Sequence, residues 1–132
     1  MSADPVFLDV NDVELIHANT IQREGGLDGL RDSGMLASAV AMPRQKYDGE
    51  YLHQDLAAMG AAYLYHLGMN HPFLDGNKRV ASFSCLIFLR ANGVTQLPSA
   101  ADLTEITLAV ASGEMAKPDL IDWLRVQINP LF

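Results

Sequence analysis

Nine consecutive residues, His71-Pro72-Phe73-Leu74-Asp75-Gly76-Asn77-Lys78-Arg79, bring an imidazole, a carboxylate, a flexible glycine and two cations into one short run. His71 can take the proton from an attacking hydroxyl. Asp75 is the natural ligand for magnesium, which is commonly held by one or two carboxylates together with phosphate oxygens. Lys78 supplies a point charge and Arg79 a planar fork, both suited to phosphoryl oxygens. Gly76 lets the backbone turn tightly, so that the amides of Asn77, Lys78 and Arg79 can form an anion nest. Taken without its surroundings, the same run also reads as an ordinary turn between helices, with Asn77 as the N-cap and Lys78 and Arg79 as solvated charges.

The elements around the run leave room for a phosphate site. Leu56, Met59, Gly60, Tyr63 and Leu67 repeat at the spacing of an amphipathic helix over Gln54 to Asn70. Pro72 should stop it by pushing His71 into an extended conformation. A second helix is expected from near Asn77 to Asn92, with Gly93 as its cap, and its apolar run from Val80 to Leu89 makes it the most buried helix. Residues 71–76 would then sit at a helix N-terminus, where unpaired N–H groups and the helix dipole attract phosphate.

Upstream, helical spacing predicts a helix from Asn11 to Arg23, stopped by Gly25-Gly26, and a short one capped by Asp32 or Ser33 that runs through Met42 and is terminated by Pro43. Pro43 to His53 is polar, carries Arg44, Lys46 and Tyr47, and contains Asp48-Gly49, a pair favoured in tight hairpins. It reads as a surface flap with a short hairpin. Downstream, Pro98-Ser99 opens a helix to about Ser112, and Pro118 opens a last one through Trp123 to Ile128. Five or six helices with short connections make a single all-α domain over residues 1–132.

Composition narrows the classes. The chain has 132 residues, 49% of them hydrophobic, enough for one compact core. Nine Lys and Arg against sixteen Asp and Glu give a net charge of -7, which argues against direct nucleic-acid binding. No apolar stretch is long enough to span a bilayer and no signal peptide is evident, so a cytoplasmic location is expected. Cys85, the single cysteine, lies in an apolar run and reads as a core residue. His17, His53 and His66 share no metal-binding spacing with His71, and Trp123, Tyr63 and Tyr65 lie on apolar helical faces where packing is expected.

The order His-Pro-Phe-x-Asp-Gly-Asn-x-Arg resembles the signature of the Fic/Doc family and fixes seven of the nine positions. The likeness extends to Gly25-Gly26-Leu27-x-Gly29-Leu30-Arg31-Asp32 upstream and Phe88-Leu89-x-x-Asn92-Gly93 downstream. It implies a compact helical domain that uses magnesium and a nucleoside triphosphate to modify a hydroxyl of another protein. It further implies His71 as general base, Asp75 as magnesium ligand, Asn77 with neighbouring amides as phosphate holder, and Phe73 as buried anchor. The flap would align a target peptide by backbone pairing.

Two departures point to a branch. Family members that transfer adenylyl groups have Gly where this chain has Lys78, and a further Arg where it has Ser82. Lysine there is typical of the Doc branch, in which the nucleotide is reversed and the γ-phosphoryl group of ATP is transferred. That branch implies a toxin restrained by an antitoxin protein. Adenylyl transfer and a non-catalytic binding module are the alternatives. Thr20-Ile21-Gln22-Arg23-Glu24-Gly25 fits a short self-inhibitory pattern of the family, but with Ser82 in place of the second Arg, Glu24 is expected to find no cation and simply to end its helix.

Overall fold

The computed structural model describes residues 4–129, and among them are six α-helices and one two-stranded hairpin. Helix α1 (Val10–Glu24) starts in a capping box: the Asp12 N–H donates to the Asp9 carboxylate and the Asp9 N–H to the Asp12 carboxylate, both at 2.9 Å. Asp32 caps α2 (Ser33–Ala41) by accepting the Met35 N–H at 3.0 Å. Pro43 does not terminate α2 as expected. It lies inside a 3₁₀ turn, Met42–Arg44, because a fixed φ and a missing N–H suit the first turn of a helical segment.

The flap is the expected hairpin. Strands β1 (Lys46–Tyr47) and β2 (Glu50–Tyr51) pair antiparallel, with Lys46 opposite Tyr51 and Tyr47 opposite Glu50. Asp48 (φ 54°) and Gly49 (φ 82°) both take the left-handed conformation that a two-residue turn of this twist requires.

Helix α3 (Leu56–Asn70) is the centre of the molecule and packs against α2, α4, α5 and α6. The sequence pointed to α4 (Asn77–Ala91) as the most buried helix. Instead α4 buries one face, including Val80, Cys85, Phe88 and Leu89, and leaves Ile87 43% exposed. The reason is bulk: Ala57, Ala58, Gly60, Ala61, Ala62 and Gly68 let neighbours approach α3 from several sides. At Gly60 a Cβ would lie 3.2 Å from the Leu89 side chain, tighter than ordinary contact, so glycine lets this crossing close without displacing Leu89. The fully buried Tyr63 hydroxyl accepts the Leu8 N–H at 2.8 Å and donates to the Leu8 carbonyl at 3.1 Å, tying the N-terminal segment to the core. Ser99 caps α5 (Ala100–Ala111), and Pro118 lies in the first turn of α6 (Lys117–Ile128). Among the described residues, no helix is long and apolar enough to cross a membrane.

Residues 71–76 join α3 to α4, and here a third expectation is corrected. His71 is not extended but left-handed, at φ 48° and ψ 56°. Pro72 does exclude the right-handed helical region from its predecessor. The chain, however, has to turn back at once from one packed helix toward the next, and a left-handed cap achieves this in a single residue. Histidine is among the side chains that tolerate it best.

Candidate active site

The loop is built around Phe73 and Asn77. Phe73 is buried, with its ring stacked on that of His17 at 3.9 Å between centroids and 5° between planes. Asn77 does not cap α4 with its side chain, since the N-cap is Gly76 at φ 79°. Its side chain turns back on the loop, accepting the Phe73 N–H and donating to the Phe73 carbonyl, both at 2.9 Å. The polar end of Asn77 is thereby committed to holding the loop, and what it offers a phosphate is its backbone N–H. The helix ladder begins with the Val80 N–H donating to the Gly76 carbonyl at 2.9 Å. The N–H groups of Asn77, Lys78 and Arg79 have no acceptor among the described residues, as expected for a helix start that can receive an anion.

Asp75 is fixed from both sides. One carboxylate oxygen accepts the Gly76 N–H at 2.8 Å and the other the Leu27 N–H at 3.2 Å. These two bonds, Leu27 first, hold its carboxyl below the usual carboxylate range, with the Arg79 charge adding to them. Gly26 (φ 118°) allows this approach, because a Cβ there would stand 2.7 Å from an Asp75 oxygen. His17, set aside in the sequence, proves to be part of the support: buried in α1, its Nε2–H donates to the Asp75 carbonyl at 2.9 Å. Its signal was a histidine sharing the buried face of α1 with Val13 and Thr20. The partner 58 residues away carried no signal.

His71, Leu74 and the run Asp75 to Arg79 line a cavity of about 250 Å³. The His71, Asp75, Gly76, Asn77, Lys78 and Arg79 set is thus brought together. Lys78 makes no ion pair among the described residues, and with His71 it also lines a neighbouring cavity of about 620 Å³ that carries Glu105 and Glu114. Arg79 is half-buried and reaches Glu24 and the Gly25 carbonyl, each at 3.5 Å. The expectation that Glu24 lacks a cation is therefore corrected: its carboxylate faces the motif arginine, Arg79. The Ser82 hydroxyl donates back to the Arg79 carbonyl at 3.0 Å.

The flap residues stand apart. Arg44 lies 5.1 Å from the Phe7 ring centre and Lys46 4.7 Å from that of Tyr51, while Tyr47 is 77% exposed. None of the three lines either cavity at the motif. Asp75 is the sole carboxylate lining the smaller cavity, and no group of three or more His, Cys, Asp or Glu gathers among the described residues. That donor set fits magnesium carried in largely by phosphate oxygens and does not fit a cage built by protein alone.

A family model described as the Fic/DOC family matches residues 7–89, a span from the segment that Tyr63 anchors to the buried half of α4. A protein of Escherichia phage P1 named "Protein kinase doc" is 36% identical over 110 residues, which cover 83% of this chain and 86% of that one. A protein of Mycolicibacterium smegmatis named "Toxin Doc" is 40% identical over 88 residues, covering 67% of this chain and 65% of that one. With a helix start open to anions, a carboxylate fixed beside it and a histidine presented at its rim, all inside the matched span, the chain belongs to the Fic/Doc family.

Proposed function

We propose that the chain is a Doc-type toxin that transfers the γ-phosphoryl group of ATP to a hydroxyl of another protein. The observation that carries this reading is Lys78, an unpaired cation at the anion-receiving start of α4, with Ser82 where adenylyl transfer would use a second arginine. The relative named as a protein kinase supports it. In this reading His71 accepts the proton of the acceptor hydroxyl as its oxygen attacks the γ-phosphorus. The bond from that phosphorus to the bridging oxygen breaks, and ADP leaves with the electron pair. The amides of Asn77 and its neighbours, with Lys78 and Arg79, hold the phosphates and stabilise charge on the equatorial oxygens. Magnesium, when bound at Asp75, would neutralise part of that charge. The flap edge at Lys46 and Tyr47, with Arg44 beneath it, would align the target segment, and an antitoxin protein would restrain the enzyme.

The test uses ATP labelled separately at the α and γ positions, with a bacterial lysate as the source of acceptor. Label should reach a lysate protein only from the γ position, with a mass gain of one phosphate. Lys78→Gly should weaken that transfer. Label from the α position would overturn phosphoryl transfer in favour of adenylyl transfer, and label from neither would favour a binding module. Growth arrest on expression, relieved by a small protein encoded beside the chain, would support the toxin reading. Harmless expression at high level would remove it.

A further inference from the structure

Arg31 lies outside the motif, between α1 and α2, yet its guanidinium spans two carbonyls at the end of α3. Its Nε–H donates to the His71 carbonyl at 2.7 Å and its Nη2–H to the Asn70 carbonyl at 2.8 Å. A helix end leaves its last carbonyls unpaired, and a planar fork can satisfy two of them at once. The backbone of the same segment adds to the hold. The Arg31 and Asp32 N–H groups donate to the Pro72 carbonyl at 2.8 and 3.0 Å, and the Leu74 N–H donates to the Gly29 carbonyl at 3.0 Å. Leu30 and Phe73 form an antiparallel bridge between these contacts. The residue so clamped is one of two non-glycine positions with positive φ among the described residues. That conformation is disfavoured for a side chain with a Cβ.

The geometry assigns Arg31 as the positioning residue of His71. It fixes the left-handed peptide from which the imidazole is presented at the cavity rim. Arg31 itself lines neither cavity at the motif, so it acts through His71 and not on the nucleotide. The inference rests on the reading of His71 as the base.

The test takes the full chain with Arg31→Lys, Arg31→Gln and Arg31→Ala. The first readout needs no acceptor: the ¹³Cα and ¹³Cβ shifts of His71, which report a left-handed or extended backbone. They should move in the Gln and Ala variants and less in Arg31→Lys, which keeps one donor. The second readout is γ-label from magnesium-ATP entering lysate protein. Apparent kcat should fall about tenfold in the Gln and Ala variants, the loss of charged hydrogen bonds at an exposed site, with KM for ATP unchanged. Guanidinium ion at non-denaturing concentration should restore part of the Arg31→Ala rate, because the site is open to solvent. Unmoved His71 shifts in a folded Arg31→Gln protein would overturn the assignment, as would a raised KM for ATP with kcat intact. If the Gln and Ala variants do not fold, the Arg31→Lys shifts decide the matter by the same criterion. Normal transfer by His71→Ala would remove the base while leaving the clamp, read from the shifts, to stand or fall separately.

Discussion

At the scale of single residues, the motif separates chemistry from scaffolding in a way that mutation can expose. His71 is solvent-facing and makes no side-chain hydrogen bond among the described residues. His71→Ala should therefore cost stability no more than the strain of alanine at a left-handed position, at most about 1–2 kcal/mol, while transfer falls by ~10²- to 10⁴-fold, the usual cost of losing a general base. A folded His71→Ala protein that transfers at a normal rate would refute the role. Asn77 should behave in the opposite way. Its two bonds to Phe73 lie in a part-buried loop, and Asn77→Ala leaves that N–H and carbonyl without partners, which costs about 1–3 kcal/mol for each group left unsatisfied. Denaturant titration should show the loss, with transfer failing alongside it. That the motif residues gather at one cavity was legible in the sequence because they all lie within nine residues. The supports were not, because Arg31 and His17 reach the loop from 40 and 58 residues away, and nothing local to either reveals the contact.

At the scale of elements, periodicity and cap chemistry located the helices, while details set by packing escaped. Asp9, Asp32, Asp55 and Ser99 each accept a backbone N–H at a helix start, and the hairpin turn follows from Asp48-Gly49. The left-handed His71 depends on where α3 and α4 must lie relative to each other, which no local rule contains. The Gly25-Gly26 pair shows how an element boundary can serve the site. Both glycines have positive φ, at 83° and 118°, but a Cβ at Gly25 would meet nothing within 4 Å whereas one at Gly26 would meet Asp75. Gly25→Ala should then show only the backbone strain of its φ 83°, ψ 178° conformation, which is essentially glycine's own, about 1–3 kcal/mol. Gly26→Ala should show that strain and also, on the proposed role of Asp75, a weaker hold on magnesium, read as a rise in the magnesium concentration needed for half-maximal transfer. Equal magnesium dependence in the two variants would mean that the Gly26 contact does not set the Asp75 carboxylate. At the end of the same helix, the Glu24 pair with Arg79 is long and its side chains are 33% and 42% exposed on the Arg79 and Glu24 sides. Screening by solvent limits such a pair to below ~1 kcal/mol, so Glu24→Gln should change unfolding free energy by less than that.

At the scale of the whole molecule, acid sensitivity should originate on the side of α3 that faces α6 and not at the motif. Lys117, in α6, places its Nζ 2.9 Å from His66 Nε2 in α3. The ammonium can only donate, so the imidazole accepts at Nε2 and carries its proton on Nδ1. Burial first, then the charge of Lys117, then His53, lowers the His66 pKa from 6.5 to about 4. His53 is lowered too, by burial first and then by Lys117. The sign follows from proton binding. Between pH 6.5 and about 4 the unfolded chain binds a proton at His66 that the folded chain does not, so stability rises with pH through that window. The contribution is complete above the unfolded value and is lost as pH falls toward 4. Asp75 and Asp55, whose pKa values are held down by hydrogen bonds, keep their contribution above the ordinary carboxylate value of 3.8 and lose it only as pH falls below that. The two causes are therefore separated along the pH axis. Melting temperature measured from pH 7 to pH 4.5 should fall in the parent protein. It should fall less in Lys117→Met, which removes the charge but keeps His66 buried, and least in His66→Leu, which removes the titrating group itself. A parent slope retained in full by His66→Leu would place the acid-sensitive group elsewhere, with His53 next in line because burial lowers its pKa too and its Nδ1 is buried with no hydrogen-bond partner among the described residues.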